Sequence, residues 1–407
     1  MSSKKNKVFL VSGSRTPIGS FGKSLRAVPV DKLASHSMTH AIRRAGIEAG
    51  RLDGIILGHG YQSSYTPNTA RVAGLAANIP ATVHAVTVQR QCGSGMEAIN
   101  QAMDKVMLGK ADLMLAGGAE SMSTIPYLLP GDLRWNGFIS KWFKMAKMGP
   151  RPTPFAIADN GIAPWKLIND TKTVAMAKTA QRLAETYNIS REEADAYAQR
   201  SQTLANEAIS SGRFDLEIDP ISVGSRGFFS RDEHARKSSL EGLKGLKPVL
   251  GTRQITAGNS SGLNDGACMV VVASQNAVDE LGLTVMAELV DYAVAGVDPE
   301  QMGLGPVAAI TKLLEANNLT LADIDLIEIN EAFAAQYLAC EKLLGLDRNK
   351  VNVNGGAIAL GHPIGMSGAR LPLSLAYELK KRGLKRGIAS LCIGGGMGIA
   401  TLIELPS

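Results

Sequence analysis

HAVTVQRQCGSGMEAINQAMDKVMLGKADLMLAGGAESM, residues 84–122, reads as a strand, a glycine-bearing turn, a helix, a buried strand and a glycine pair. KVNVNGGAIALGHPIGMSGARLPLSLAYELKKRGLKRGIASLCIGGGMG, residues 350–398, repeats that order. The likeness extends upstream. DKLASHSMTHAIRRA at 31–45 has helical apolar spacing and precedes the strand-like DGIILGHG at 53–60, while PVAAITKLLEAN at 306–317 precedes LADIDLIEINEA at 321–332. ADLMLAGG and RGIASLCIGGG are apolar runs without alternation, as expected of strands covered on both faces by helices. The fold class is therefore α/β: two duplicated βαβ-type halves with mixed, largely parallel sheets and functional residues at strand ends. The repeat places Cys92 and the His362 region in corresponding positions, facing one cleft.

Residues 122–263 differ in composition, with Pro- and Trp-containing material followed by amphipathic helices; Ser190 and Glu193 fit a capping box. The expected organisation is one core half from 1–121 and 264–284, an inserted domain at 122–263, and a second half at 285–407. With 407 residues, 45% hydrophobic and 20% charged, the chain can bury a large core, which excludes a fibrous, disordered or disulfide-stapled protein. A net charge of +6 suits anionic small molecules and falls short of a nucleic-acid footprint. The four cysteines, Cys92, Cys268, Cys340 and Cys392, form no C-x-x-C pair, so individual thiols in a reducing compartment are expected, and no metal cluster. No stretch approaches the roughly 20 apolar residues of a membrane span, so the expected setting is cytoplasmic.

Cys92 follows a strand and opens a helix, where free N–H groups and the helix dipole would favour a thiolate and could donate to an oxyanion. Its bland alternative is a small buried apolar residue. The same stretch, Gly93-x-Gly95-x-x-Ala98, also fits a dinucleotide fingerprint, although such fingerprints usually open the first βα unit. His362 lies in a glycine-rich turn before a helix, and Cys392 ends an apolar strand ahead of Gly394. A base near neutral pKa, His or thiolate, is what proton transfer at carbon requires. Asn330-Glu331, taken alone, reads as a helix cap and first-turn acid. GNSSG at 258–262 leads into a strand, the wrong context for a nucleophile elbow. GSFGKS at 19–24 fails as a phosphate-binding loop because Pro17 stands where glycine is needed.

QCGSGMEAI, NEAFAAQ, NVNGGAIALGHPIGMSGAR and LCIGGGMGIA, in this order, with SRTPIGSFG near the start and AGNSSGLNDGA in the middle, resemble the thiolase family over nearly the whole chain. The resemblance implies a thiolase fold and CoA-dependent acyl transfer to or from carbon, with CoA as substrate and no metal or redox cofactor. It makes Cys92 the acyl-carrying nucleophile, His362 its base, Cys392 the acid/base at the C-alpha of acetyl-CoA and Asn330 an orienting group. Backbone N–H groups of Cys92 and Gly394 would hold one oxyanion, and Ser261, Arg236 and Met302 would contact CoA. A homodimer or homotetramer is the expected assembly.

The pattern departs from many short-chain biosynthetic members at Ala175-Met176-Ala177-Lys178, where those have His-Met-Gly. In the long segment 126–164, Phe138, Trp142 and Met145 share a helical face beside Lys141, Lys144 and Lys147. Residues 135–148 could thus dock on a membrane surface or on a β-oxidation partner, the alternative being a packed surface helix. Two rival functions remain open at this point: a ketosynthase acting on carrier-protein thioesters, against which Asn330 stands where a second catalytic His is usual, and a non-catalytic lipid-binding relative, against which Cys92, Asn330, His362 and Cys392 are all retained.

Overall fold

The computed structural model describes residues 6–128, 158–159, 165–168 and 172–406. The strands are β1 (Val8–Arg15), β2 (Gly54–Gly58), β3 (His84–Val88), β4 (Leu113–Ser121) and β5 (Asn264–Ser274) in the first half. The second half has β6 (Ala287–Gly296), β7 (Leu326–Ile329), β8 (Arg386–Ile393) and β9 (Met397–Glu404). The main helices are α1 (Val30–Ala45), α2 (Thr69–Ala76), α3 (Ser94–Met107), α4 (Met176–Thr186), α5 (Arg191–Ser210), α6 (Gly305–Ala316), α7 (Ala334–Leu344) and α8 (Ile364–Arg382).

The strands join in the order β7-β8-β9-β6-β1-β5-β4-β2-β3, with Gly19–Ser20 added on β5. Each half repeats one arrangement. In the first it is β3-β2-β4-β5-β1; in the second, β7-β8-β9-β6, with Val351 bridging Ile327 where the partner of β3 would stand. The halves join where Phe9 and Leu10 pair with Glu288 and Ala287.

The sheet is mixed, but its parallel share is smaller than the sequence suggests. Among the described residues β2–β3, β2–β4 and β7–β8 run parallel, and the other main pairs are antiparallel. The reason is the last connection of each half. The chain leaves β4, passes through the inserted residues and returns antiparallel as β5; it leaves β8 through a three-residue glycine turn and returns antiparallel as β9. That turn needs Gly395 and Gly396 at φ 89° and 87°.

Helices α3 and α8 lie side by side between the two half-sheets, and Met96, Ile99, Val270, Leu373, Leu391 and Ile393 fill the core they share. An outer layer of α1 and α2 packs Leu33, Met38 and Ala73 on Ile55 and Leu57, while α4, α5, α6 and α7 cover the other face through Leu183, Tyr197, Leu313 and Tyr337. Strands β1, β2, β4, β5, β7, β8 and β9 are buried on both sides for this reason, whereas the edge strand β3 is largely part-exposed. The two central helices touch through backbone: a Cβ on Gly95 would lie 2.5 Å from the Gly365 carbonyl oxygen and 2.9 Å from the Ala369 nitrogen.

The inserted segment is tied to the core by charge. Arg15, fully buried, donates from Nε to Glu217 at 2.8 Å and from Nη1 and Nη2 to Asp232 at 2.8 and 2.9 Å. Ser190 and Glu193 form the expected capping box at the start of α5. The docking face built on Phe138, Trp142, Met145 and the three lysines lies outside the described residues. No helix among those described is long and apolar enough to cross a membrane.

Candidate active site

The duplication delivers two equivalent positions to one place. Cys92 stands two residues ahead of α3, and His362 two residues ahead of α8. Cys92 sits in the short 3-10 turn Gln91–Gly93, which packs on α8, and Gln91 takes the left-handed φ of 45°, a conformation costly for a residue with a side chain. Held this way, Cys92 as a residue is partly exposed although its sulfur is desolvated, whereas Cys268, Cys340 and Cys392 are buried.

Two thiols and one glycine turn meet here. Backbone N–H groups of Gly394 and of Cys92 itself reach the Cys92 sulfur, and the Cys392 sulfur interacts electrostatically with it. Burial nevertheless pushes the Cys92 thiol up to about 11, with those two N–H groups pulling it down and the Glu120 charge adding to the rise. The resting form is thus the thiol, not the thiolate that the helix dipole alone suggests, because desolvation outweighs the dipole. Cys392 is also held well above the ordinary thiol range by burial, and it packs with Met302 and Ala332 in a small apolar cluster edged by Met176 and Phe333.

His362 is 7% exposed and fixed at three points. Its backbone N–H donates to Asn264 Oδ1 at 2.9 Å, its Nδ1 lies 2.7 Å from Ser367 Oγ, and its Nε2 lies 3.4 Å from Asn330 Nδ2. Ser367 donates its own hydroxyl proton to the Pro363 carbonyl at 3.0 Å, so it accepts from Nδ1–H. That assigns the proton to Nδ1 and leaves the Nε2 lone pair toward Asn330. Burial, helped by the Arg370 charge, lowers the imidazole to about 4, so it is neutral and basic at neutral pH.

Asn330 directly follows β7 and is no helix cap, since α7 starts only at Ala334 with Phe333 as its N-cap. Its Oδ1 is buried and has no partner among the described residues. Glu331 is a structural tie: its carboxylate accepts from Tyr197 Oη and Ser201 Oγ, both at 2.7 Å, Asn352 Nδ2 at 3.0 Å and the Ile358 N–H at 3.1 Å. It joins α5 of the inserted segment to the second half directly beside Asn330.

Of the CoA-contact candidates, Ser261 donates its N–H to Ala332 at 3.0 Å, next to the Cys392 and Met302 cluster. Arg236 is exposed and donates to the Ala257 carbonyl at 2.9 Å, on the stretch leading to Ser261 but without contact to the four reactive side chains. The dinucleotide fingerprint is accounted for by packing: a Cβ on Gly93 would lie 2.6 Å from Ile393 Cδ1, and Gly95 abuts α8. Its glycines admit protein, not a pyrophosphate.

Three positioning groups escape a reading of single motifs. Asn264 holds the His362 backbone and donates to the Gly19 carbonyl at 3.0 Å, joining three of the sequence motifs. Ser367 is visible in hindsight, one helical turn beyond His362. Glu120, fully buried, accepts the N–H groups of Gly60 and Gly365 at 3.0 Å and of Tyr61 at 3.3 Å, and pairs with His59 at 3.2 Å. It satisfies a first-turn donor of α8, whose N-cap Pro363 offers no side chain for the task. Among the described residues no cluster of His, Cys, Asp and Glu could hold a metal ion.

The family model for the thiolase N-terminal domain matches residues 8–276, and that for the thiolase C-terminal domain matches residues 283–405. The chain is 46% identical to an acetyl-CoA acetyltransferase of Syntrophomonas wolfei, over 98% of its own length and 99% of the relative's. Among solved structures it is similar to the Bacillus anthracis acetyl-CoA acetyltransferase, with TM-score 0.90, 46% identity and coverage of 98% and 99% of the two chains. It is also similar to human mitochondrial 3-ketoacyl-CoA thiolase in complex with CoA, with TM-score 0.91, 40% identity and coverage of 99% and 98%. With both domains matched in sequence and the paired half-sheets in place, the chain belongs to the thiolase family.

Proposed function

We propose that this chain is a CoA-dependent C-acyltransferase that cleaves 3-ketoacyl-CoA to acetyl-CoA and a shortened acyl-CoA, and runs the reverse Claisen condensation, through an acyl group carried on Cys92. The observation that carries this reading is the meeting of the Cys92 thiol, the Gly394 N–H and the Cys392 thiol at one point. Neutral His362 takes the Cys92 proton on Nε2 as sulfur attacks the 3-keto carbon. With the thiol near 11 and the imidazole near 4, transfer without attack would cost roughly 10 kcal/mol, so proton and bond must move together.

Two oxyanions then arise and two donor sets face them. The acyl oxygen is held by the N–H groups of Cys92 and Gly394; the enolate oxygen of the departing acetyl-CoA by His362 Nε2–H, now protonated, and the Asn330 amide. Breaking the bond between C2 and C3 leaves that enolate, which Cys392 protonates at carbon; free CoA then gives its thiol proton to the Cys392 thiolate as its sulfur attacks the acyl carbon, and the departing Cys92 sulfur recovers its proton from His362 Nε2. The pair of electrons released from the C2–C3 bond stays on C2 and is matched by the new C–S bond at C3, so the reaction is redox-neutral overall, CoA enters as substrate and the scheme calls for no redox or metal cofactor. Ser261, Arg236 and Met302 are the proposed CoA contacts.

All four cysteines are unpaired, which favours a reducing, cytoplasmic setting for a reaction that needs two free thiols. A homodimer or homotetramer belongs to the same reading, supported by the edge strand β3, whose Val86 is 40% exposed. The decisive test is acetoacetyl-CoA consumption with and without free CoA in the parent and in Cys92→Ser. Consumption only with CoA, lost in the variant, is expected; undiminished turnover in Cys92→Ser refutes the acyl-cysteine mechanism.

A further inference from the structure

Helix α1 packs one face on β1, β4 and β5 and turns another toward the inserted segment. Lys32, His36 and His40 follow one another at four-residue intervals, so they form a stripe along that second face. Opposite it runs a hairpin of the inserted segment, Ile221–Ser222 paired with Phe228–Phe229, whose turn carries Arg226. Between helix and hairpin lies a groove of about 600 Å³. It shares no lining residue with the cleft of Cys92 and His362 or with the proposed CoA contacts.

The polar chemistry of the groove is one-sided. Lys32 and Arg226 bring cations, Ser222 a hydroxyl, and His36 and His40 imidazoles, while no Asp or Glu lines it. These donors are largely unspent. The Lys32 ammonium has no partner among the described residues, and Arg226 uses only Nη2, on the Ser24 carbonyl at 2.9 Å. Asp219, the carboxylate beside the stripe, is already taken up by Ser14 Oγ at 2.7 Å, Arg44 Nε and His40 Nδ1 at 2.9 Å, and Arg43 Nη2 at 3.0 Å. His36 donates Nε2–H to the Asp219 carbonyl at 3.1 Å. The two rings, with centroids 4.3 Å apart, are thus each fixed through one nitrogen, and the other nitrogen has no partner among the described residues. Burial holds both imidazoles below their ordinary range; Asp219 opposes this, and Arg43, whose Nη2 lies 2.7 Å from His40 Nδ1, adds to it. An anion in the groove would supply the counter-charge that a second ring proton lacks.

We propose that this groove binds a phosphate monoester, its phosphate among Lys32, Arg226, Ser222 and the two imidazoles and its organic part against Val28, Pro29 and Val223. Donors from two separate elements suit a dianion with three free oxygens better than a carboxylate with two. The volume exceeds what inorganic phosphate needs and falls within the roughly 300–1,000 Å³ of sites for small organic ligands. The bound ester would join α1 to the inserted segment next to Asp219, whose N–H donates to the Arg15 carbonyl at 3.0 Å, and would tighten that segment on the core without touching the reacting atoms.

The test follows the imidazoles themselves. Protein labelled at histidine Cε1 carries six reporters, and the signals of His36 and His40 are assigned by their loss in His36→Gln and His40→Gln. Their titration is recorded in chloride, inorganic phosphate and phenyl phosphate at one ionic strength. Phenyl phosphate should raise both midpoints by roughly half a unit or more, saturably, and leave the remaining signals in place. In the double variant Lys32→Met with Arg226→Met the rise should vanish while thiolysis stays parental. Phenyl phosphate should also raise the thermal midpoint of the parent and not of the double variant, as linkage requires. Midpoints that coincide in chloride and phenyl phosphate overturn the site. A rise that persists in the double variant puts the anion elsewhere and overturns it as well. Binding of inorganic phosphate as tight as that of phenyl phosphate refutes the organic subsite on Val28, Pro29 and Val223.

Discussion

Glu331→Gln changes one atom in a carboxylate that four donors share in pairs: Tyr197 Oη and Asn352 Nδ2 on one oxygen, Ser201 Oγ and the Ile358 N–H on the other. Whichever oxygen becomes the amide NH2, one hydroxyl and one fixed N–H then face a donor. The hydroxyl can rotate; Asn352 or the Ile358 N–H cannot. One buried donor is left unpaired and the remaining bonds lose their charge assistance, which together cost roughly 3 kcal/mol. That is a sizeable part of the about 5–15 kcal/mol that holds a domain folded. The bond set joins α5 to the strand end carrying Asn330, so misplacement of Asn330 should lower kcat by roughly 10- to 100-fold, with KM for CoA little changed. Urea unfolding followed by circular dichroism, beside saturated thiolysis rates, measures both. A variant that unfolds at the parental urea midpoint with parental kcat would refute the claim that Glu331 is the tie.

Acidification should destabilise the protein between pH 6.5 and 4. His362 is lowered to about 4 in the folded state, so the unfolded chain binds the extra proton in that window and stability rises with pH through it, by roughly 3 kcal/mol for His362. His234, also near 4, adds to this, while Asp265 and Glu328, raised by burial to about 6 and about 8, oppose it; thermal melts across the window should show a smaller net fall toward acid. Gly95→Ala places a methyl 2.5 Å from the Gly365 carbonyl oxygen, and should cost about 1–3 kcal/mol in denaturant unfolding, together with much of kcat. In Cys392→Ala, intact mass should still show an acetyl group transferred from acetyl-CoA to Cys92 while carbon–carbon cleavage fails; equal loss of both steps would remove Cys392 from the proton transfer.

Legibility followed chain locality. Cys92, His362, Asn330 and Cys392 each stand where a strand gives way to a turn, and the four lie in segments whose order repeats, so sequence brought them to one cleft. Glu120 and Asn264 act across long sequence separations, and nothing in their own neighbourhoods marks the partner. Asn330-Glu331 carries the residue types of a helix cap, but the helix starts later because Phe333 is still extended. The parallel share of the sheet was overestimated because apolar strand runs record burial on two faces and say nothing of direction. The ionisation of Cys92 was misread because dipole and N–H groups are visible in sequence order, whereas burial is a property of the whole fold.

The main-chain contact of α3 with α8 has one more consequence. Because Gly95 meets the Gly365 carbonyl with no side chain between, the spacing of the two reactive turns is set by peptide geometry, which no choice of rotamer can retune. Side-chain substitutions in the surrounding core can change how firmly α3 and α8 are gripped, but the gauge between the turns that carry Cys92 and His362 stays that of two main chains in contact.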